Sequence, residues 1–169
     1  MTRPNLVATA ALGLALLTSE ARPCFAGEPP PCSALEPEVV VATRDHALWL
    51  CESGRPVASY RVAIGRGGTG KRVQGDNKTP LGSYPLGDPR PSSRFGIFIP
   101  IAYPTPEQRI HGFTGADVGI HGPDRRFRWA GSLSTSVDWT AGCVALGTDD
   151  EAQAVASWVR KRSPSVTIR

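Results

Sequence analysis

The chain has 169 residues, a formal net charge of +4, 16 prolines and 18 glycines. That length builds one domain with a full core and excludes two of ordinary size. The basic residues are scattered, which excludes a nucleic-acid-binding surface. The mild positive balance favours anionic surroundings.

Arg3 and the apolar run Leu6–Leu17, followed by Cys24-Phe25-Ala26, read as a secretory signal peptide over residues 1–26. A cut after Ala21 is the other option. The run is short for a membrane span, which takes roughly 20 apolar residues. The expectation is therefore an exported protein, periplasmic or cell-wall associated, with no membrane span in the mature chain. An uncleaved anchor is the alternative. Loss of Arg3, Glu20 and Arg22 leaves a mature charge near +3.

Residues 27–37 form a Pro-rich, flexible lead-in. Strands follow. Val39-Val40-Val41 is a β-branched run, and His46–Cys51 alternates Leu48 and Leu50 against Trp49 and Cys51. Glu52-Ser53-Gly54-Arg55 is a turn into Val57–Ile64, so these segments are hairpin arms. Gly65–Gly75 is a glycine-rich loop, and Thr79–Tyr84 resumes an extended path. Phe95–Ile101, Val118–His121 and Val144–Leu146 are further apolar strands. Thr148-Asp149-Asp150-Glu151 is a capping box for one helix, striped by Ala152, Val155, Ala156 and Val159 and stopped at Pro164. Val166-Thr167-Ile168 is a last strand.

Four cysteines are encoded, at 24, 32, 51 and 143. Cys24 leaves with the signal. Export permits disulfides, and a Cys32–Cys51 bridge would contribute about 3 kcal/mol in the chain-entropy model. That leaves Cys143 as the odd thiol, and an odd thiol in an exported protein invites a chemical role. Its flanks are Asp138-Trp139-Thr140-Ala141-Gly142-Cys143-Val144. Upstream stands Ile120-His121-Gly122. A thiol becomes a nucleophile when its thiolate is stabilised, as by a neighbouring imidazolium. Gly142 lets the backbone approach a bound carbonyl, and backbone N–H groups of Gly142 and Cys143 could serve an oxyanion. A buried, inert cysteine is the alternative reading of the same residue.

Residues 38–169 resemble the L,D-transpeptidase (YkuD-type) catalytic domain family. Val57–Gly70 resembles its strand and glycine loop. Gly75-Asp76-Asn77-Lys78-Thr79-Pro80-Leu81-Gly82-Ser83-Tyr84 resembles its G-D-x-x-T-P-x-G-x-Y segment. Ile120-His121-Gly122 and Thr140–Leu146 resemble its I-H-G and S/T-x-G-C elements. The resemblance implies a mostly β fold, a β-sandwich with mixed strands and a helix in the C-terminal region. It implies a thioester on Cys143, with His121 as general base and acid and a backbone carbonyl orienting that histidine. It implies no metal and no other cofactor. The partners it implies are peptidoglycan stem peptides, joined 3→3, and possibly a wall-attached lipoprotein amine.

Ala141 and Ala145 stand where many members of the family carry histidine and arginine. The D-W-T-x-G-C arrangement resembles the YafK-like branch, which includes hydrolases. Release of a stem-linked lipoprotein by water at the same site is thus one alternative, and a non-catalytic wall-binding module is another. Gly122, Thr140, Ala141 and Trp139 are expected to touch substrate. Arg125, Arg126 and Arg128 are either carboxylate binders or a solvated loop. Trp129 and Trp139 default to the core, His46 to structure, His111 to a surface loop and Asp76 to its own turn. The glycine loop lacks the G-K-S/T ending of a phosphate-binding loop.

Overall fold

The computed structural model describes residues 31–169. The signal peptide expected over residues 1–26, Cys24 included, and the start of the Pro-rich lead-in lie outside the described residues. Nine strands alternate with little helix: β1 (Glu38–Ala42), β2 (Ala47–Glu52), β3 (Arg55–Ala63), β4 (Gly82–Pro85), β5 (Arg90–Ser92), β6 (Gly96–Pro100), α1 (Pro106–Ile110), β7 (Gly119–His121), 3-10 turns over Arg125–Thr135, β8 (Val144–Leu146), α2 (Asp149–Arg162) and β9 (Ser165–Ile168).

The strands form one sheet in the order β4-β9-β1-β2-β3-β8-β7-β6-β5. It is mixed, because β1 pairs with β9 and β7 with β8 in parallel. The sheet curls on itself. Past their ends, β4 and β6 meet at a Leu86–Ile101 bridge, and Tyr84 sets its ring edge-on to Tyr103 at 5.9 Å. One apolar core therefore draws on both ends of the strand order, with Val39, Val41, Leu48, Ile99, Ile120, Leu146 and Ile168 all inside it.

Period-2 alternation decides what faces this core. Val39 and Val41 point in. Val40 points to the other face, where Cys32 and Cys51 cover it with Trp49 alongside. Cys32 and Cys51 are disulfide-bonded, with Cα atoms 5.5 Å apart. The Gly54 N–H also donates to the Ala34 carbonyl at 2.9 Å. Residues 31–37 are thus tied down, a correction to the flexible lead-in expected there.

Helix α2 starts as its sequence requires. Thr148 accepts from the Glu151 N–H, and the Glu151 carboxylate accepts from the Thr148 N–H. Such a cap is worth about 1 kcal/mol. Ala152, Val155, Ala156 and Val159 are buried against the sheet. On the far side Glu52 accepts from Trp158 Nε1 at 2.7 Å and from Arg162 Nε at 2.9 Å, clamping the helix to β2.

Candidate active site

The parallel β7–β8 pair builds the site. Its register sets Ile120 beside Val144 and His121 beside Ala145, so Cys143, one residue before β8, comes alongside the start of β7. The chain between these strands makes 3-10 turns, which leaves β7 and β8 free to join in parallel.

Cys143 sits at the end of a turn organised by Thr140. The Thr140 hydroxyl donates to the Cys143 carbonyl at 2.7 Å and accepts from the Gly142 N–H at 3.1 Å. Gly142 has φ of +128°, and a Cβ there would stand 2.6 Å from the Lys78 carbonyl oxygen. Only glycine fits. The sequence reading assigns the Gly142 N–H to an oxyanion; in the structure that N–H is occupied by Thr140.

The segment Asp117–Gly119 wraps the sulfur. Cys143 Sγ donates to the Asp117 carbonyl at 3.4 Å, and the Gly119 N–H favours the thiolate. A Cβ at Gly119 would run into the Phe98 ring and stand 2.6 Å from the Ile99 carbonyl oxygen. Burial, with the Asp117 charge adding to it, pushes the Cys143 thiol up to about 11.

His121 is 1 % exposed. Its Nδ1 donates to the Gly122 carbonyl at 2.7 Å, which leaves Nε2 as the acceptor in the neutral ring. The Phe95 ring stacks on it at 3.8 Å between centroids. Burial pushes the imidazole down to about 4. At neutral pH the site thus rests as thiol and neutral imidazole.

His121 and Cys143 share one cleft of about 530 Å³. Trp139, Thr140 and Ala141 also line it, as do Arg66, Arg90, Arg94, Phe95 and Asp117. Gly122 is buried away from the cleft and acts through its carbonyl on His121. The Thr140 hydroxyl is taken up inside the turn. Ala141 and Trp139 remain where a substrate could touch them.

The arginines after the His-Gly element are not in this cleft. Arg126 pairs with buried Asp124 and Arg128 with Asp149. Arg94 also reaches Asp124, at 2.9 Å. The Arg126 guanidinium, aided by Arg94 and opposed by burial, holds the Asp124 carboxyl well below the usual carboxylate range. The cleft cations come instead from the glycine loop (Arg66) and the β5–β6 hairpin (Arg90, Arg94), and sequence reasoning missed all three. The available signal was the Arg90-Pro91-Ser92-Ser93-Arg94 turn just ahead of an apolar strand.

Behind Trp139 lies a second hollow of about 450 Å³, lined by Phe127, Trp129 and Val137 and rimmed by Arg66, Arg94 and Arg126. Trp129 is 84 % exposed, a correction to its expected place in the core.

Asp76 organises its own turn, accepting from the Arg72, Val73 and Lys78 N–H groups and from Lys71 Nζ at 2.9 Å. Although burial opposes the charge, these donors hold its carboxyl well below the usual range. His46 Nε2 meets Asp138, whose Oδ1 also accepts from the Ile64 N–H, so Asp138 fixes the start of the cysteine segment to β3. His111 is the exposed C-cap of α1.

The family model described as L,D-transpeptidase catalytic domain (YkuD) matches residues 36–168. The chain belongs to that family. The protein "Putative L,D-transpeptidase YafK" of Escherichia coli strain K12 is 39% identical over 83 residues, which is 47% of this chain and 34% of that protein. The same values hold for its counterpart in E. coli O157:H7. The match therefore spans about a third of those curated relatives. Among solved structures, the helical cell shape determining protein Pgp2 from Campylobacter jejuni superimposes with a TM-score of 0.65 at 24% identity, covering 79% of this chain and 47% of Pgp2. Bd1075 of Bdellovibrio bacteriovorus gives 0.58 at 20% identity, covering 79% and 48%. Both share the fold described above.

Proposed function

We propose that this domain is a cysteine acyl-transferase acting on peptidoglycan stem peptides. The observation that carries the reading is the shared cleft of Cys143 and His121, with Nδ1 of the histidine fastened to the Gly122 carbonyl. The Cys143 Sγ–H proton passes to His121 Nε2 as sulfur bonds to the donor carbonyl carbon. The Cys143 N–H serves the oxyanion. His121 then protonates the leaving amine as the C–N bond breaks, and a thioester remains. Attack on the thioester by an amine or by water reverses these roles and frees the thiol.

Family membership and the name of the E. coli relative support the transpeptidase assignment. Arg66 and Arg90 give the cleft free positive charge, which suits a donor carrying carboxylates. The Cys32–Cys51 disulfide supports an oxidising compartment and hence export. Among the described residues, no helix is long and apolar enough to cross a membrane.

Incubation with a carbapenem, followed by intact-mass measurement, tests the nucleophile. An adduct is expected on the wild-type protein and none on Cys143→Ala. An adduct that survives Cys143→Ala removes the assignment. Muropeptide profiles then separate acceptors: new 3→3 dimers report amine transfer, shortened stems report water, and freed lipoprotein reports release.

A further inference from the structure

Among the residues lining the Cys143 cleft, Asp117 is the one acid. It is exposed, and it sits at φ of +55°, a left-handed conformation that Asp and Asn tolerate better than most residues. Its carbonyl touches the sulfur, and its charge opposes the thiolate. Among the described residues no lysine, arginine or histidine forms an ion pair with it. The nearby Arg94 is committed to Asp124. A carboxylate that works against the nucleophile and neutralises no cation of its own chain is placed for a cation from outside.

We propose that Asp117 seats the amine acceptor, binding its ammonium form beside the thioester and so favouring amine over water. This rests on the acyl-transfer reading above. The acceptor sheds one proton to solvent. Its nitrogen lone pair attacks the thioester carbonyl while a second N–H proton goes to His121 Nε2. Collapse breaks the C–S bond, and His121 returns that proton to Cys143 Sγ. Asp117 keeps its charge throughout and holds the remaining N–H. It is a positioning residue for the acceptor, and the donor half-reaction does not need it.

The test uses the purified protein with a stem tetrapeptide as donor. Thioester formation is followed by intact mass, and the ratio of amide to hydrolysed product is measured with two nucleophiles. One is a second stem peptide, whose amine is an ammonium at pH 7; the other is methoxyamine, which is uncharged there. In Asp117→Asn the amide ratio should fall about tenfold for the stem amine, as expected for loss of one close charge pair. The ratio for methoxyamine should not fall, thioester formation should hold or rise because the charge opposing the thiolate is gone, and Asp117→Glu should recover part of the lost amide ratio. An unchanged ratio, or an equal fall for both nucleophiles, overturns the proposal. So does a wild-type protein that forms the thioester and passes it only to water, which leaves the acyl-enzyme reading standing. Absence of any thioester overturns both.

Discussion

The two parallel junctions of the sheet make an instructive pair. At β1–β9 the side chains on the core face are apolar, Val39, Val41, Val166 and Ile168, and the polar pairs, Thr43 on the Arg169 carbonyl and Thr167 on Glu38, lie at its end and on its outer face. At β7–β8 a shorter junction buries His121 and is flanked by buried Asp124 and Thr140. Each of these is matched: His121 to a carbonyl, Asp124 to two arginines, Thr140 to its own turn. Burying a polar group without such a match costs about 1–3 kcal/mol. The first junction is held by surface removed from water, the second by partners placed at fixed distances. A scaffold tolerates change in the first kind more readily than in the second.

The sharpest way to break this contrast is Gly119→Ala. A methyl group has no room between the Phe98 ring and the Ile99 carbonyl, so β7 must shift from β6. Overpacking of this kind costs about 1–3 kcal/mol. Because Gly119 also faces the sulfur, acylation by the carbapenem should fall by at least about tenfold. Denaturant melts and intact-mass kinetics measure the two effects, and a variant that keeps wild-type acylation would show that the junction gives way easily. At the other end stability should fall while the chemistry is spared. Cys32→Ser with Cys51→Ser should lower stability by about 3 kcal/mol while leaving the acylation rate constant near wild type under conditions where the protein stays folded. Thiol counting on the denatured wild-type mature protein should find one free thiol, Cys143.

The subtlest effect concerns protons. With His121 pushed down to about 4 and Cys143 up to about 11, both are neutral across the pH window between those values. Alkylation of Cys143 by iodoacetamide should therefore climb about tenfold per pH unit from pH 7 to 10, following the thiolate fraction. Acylation by a bound donor should lose its acidic limb only near pH 4, where His121 gains its proton. An alkylation rate already flat at pH 7 would mean a resting thiolate–imidazolium pair.

Legibility from sequence divides along the same line. The β1–β3 hairpins and α2 were readable because alternation, a turn and a capping box are local signals. Helix α1 carries the same kind of box, Thr105-Pro106-Glu107-Gln108, yet it buries no residue and offers no apolar stripe to read. Strand β5, Arg90-Pro91-Ser92, has no strand-like composition; it is held by pairing to β6 and by Arg90 lying 5.4 Å from the Phe98 ring centre. In the site, His121 and Cys143 stood out by motif. What stayed hidden was everything set by tertiary pairing: the Gly122 carbonyl behind His121, the Thr140 hydroxyl across the Gly142 amide, and the arginines that enter the cleft. Arg126 and Arg128 looked equally available in sequence, and only Asp124 and Asp149 show them to be engaged.

Strand β9 lies between β1 and β4, so the second strand position from one edge of the sheet is filled by the last strand in chain order. Until Ser165–Ile168 have left the ribosome, β1 and β4 have nothing to hydrogen-bond to on that side. Closing the sheet therefore waits on the last of its nine strands in chain order, which must insert between two strands made earlier.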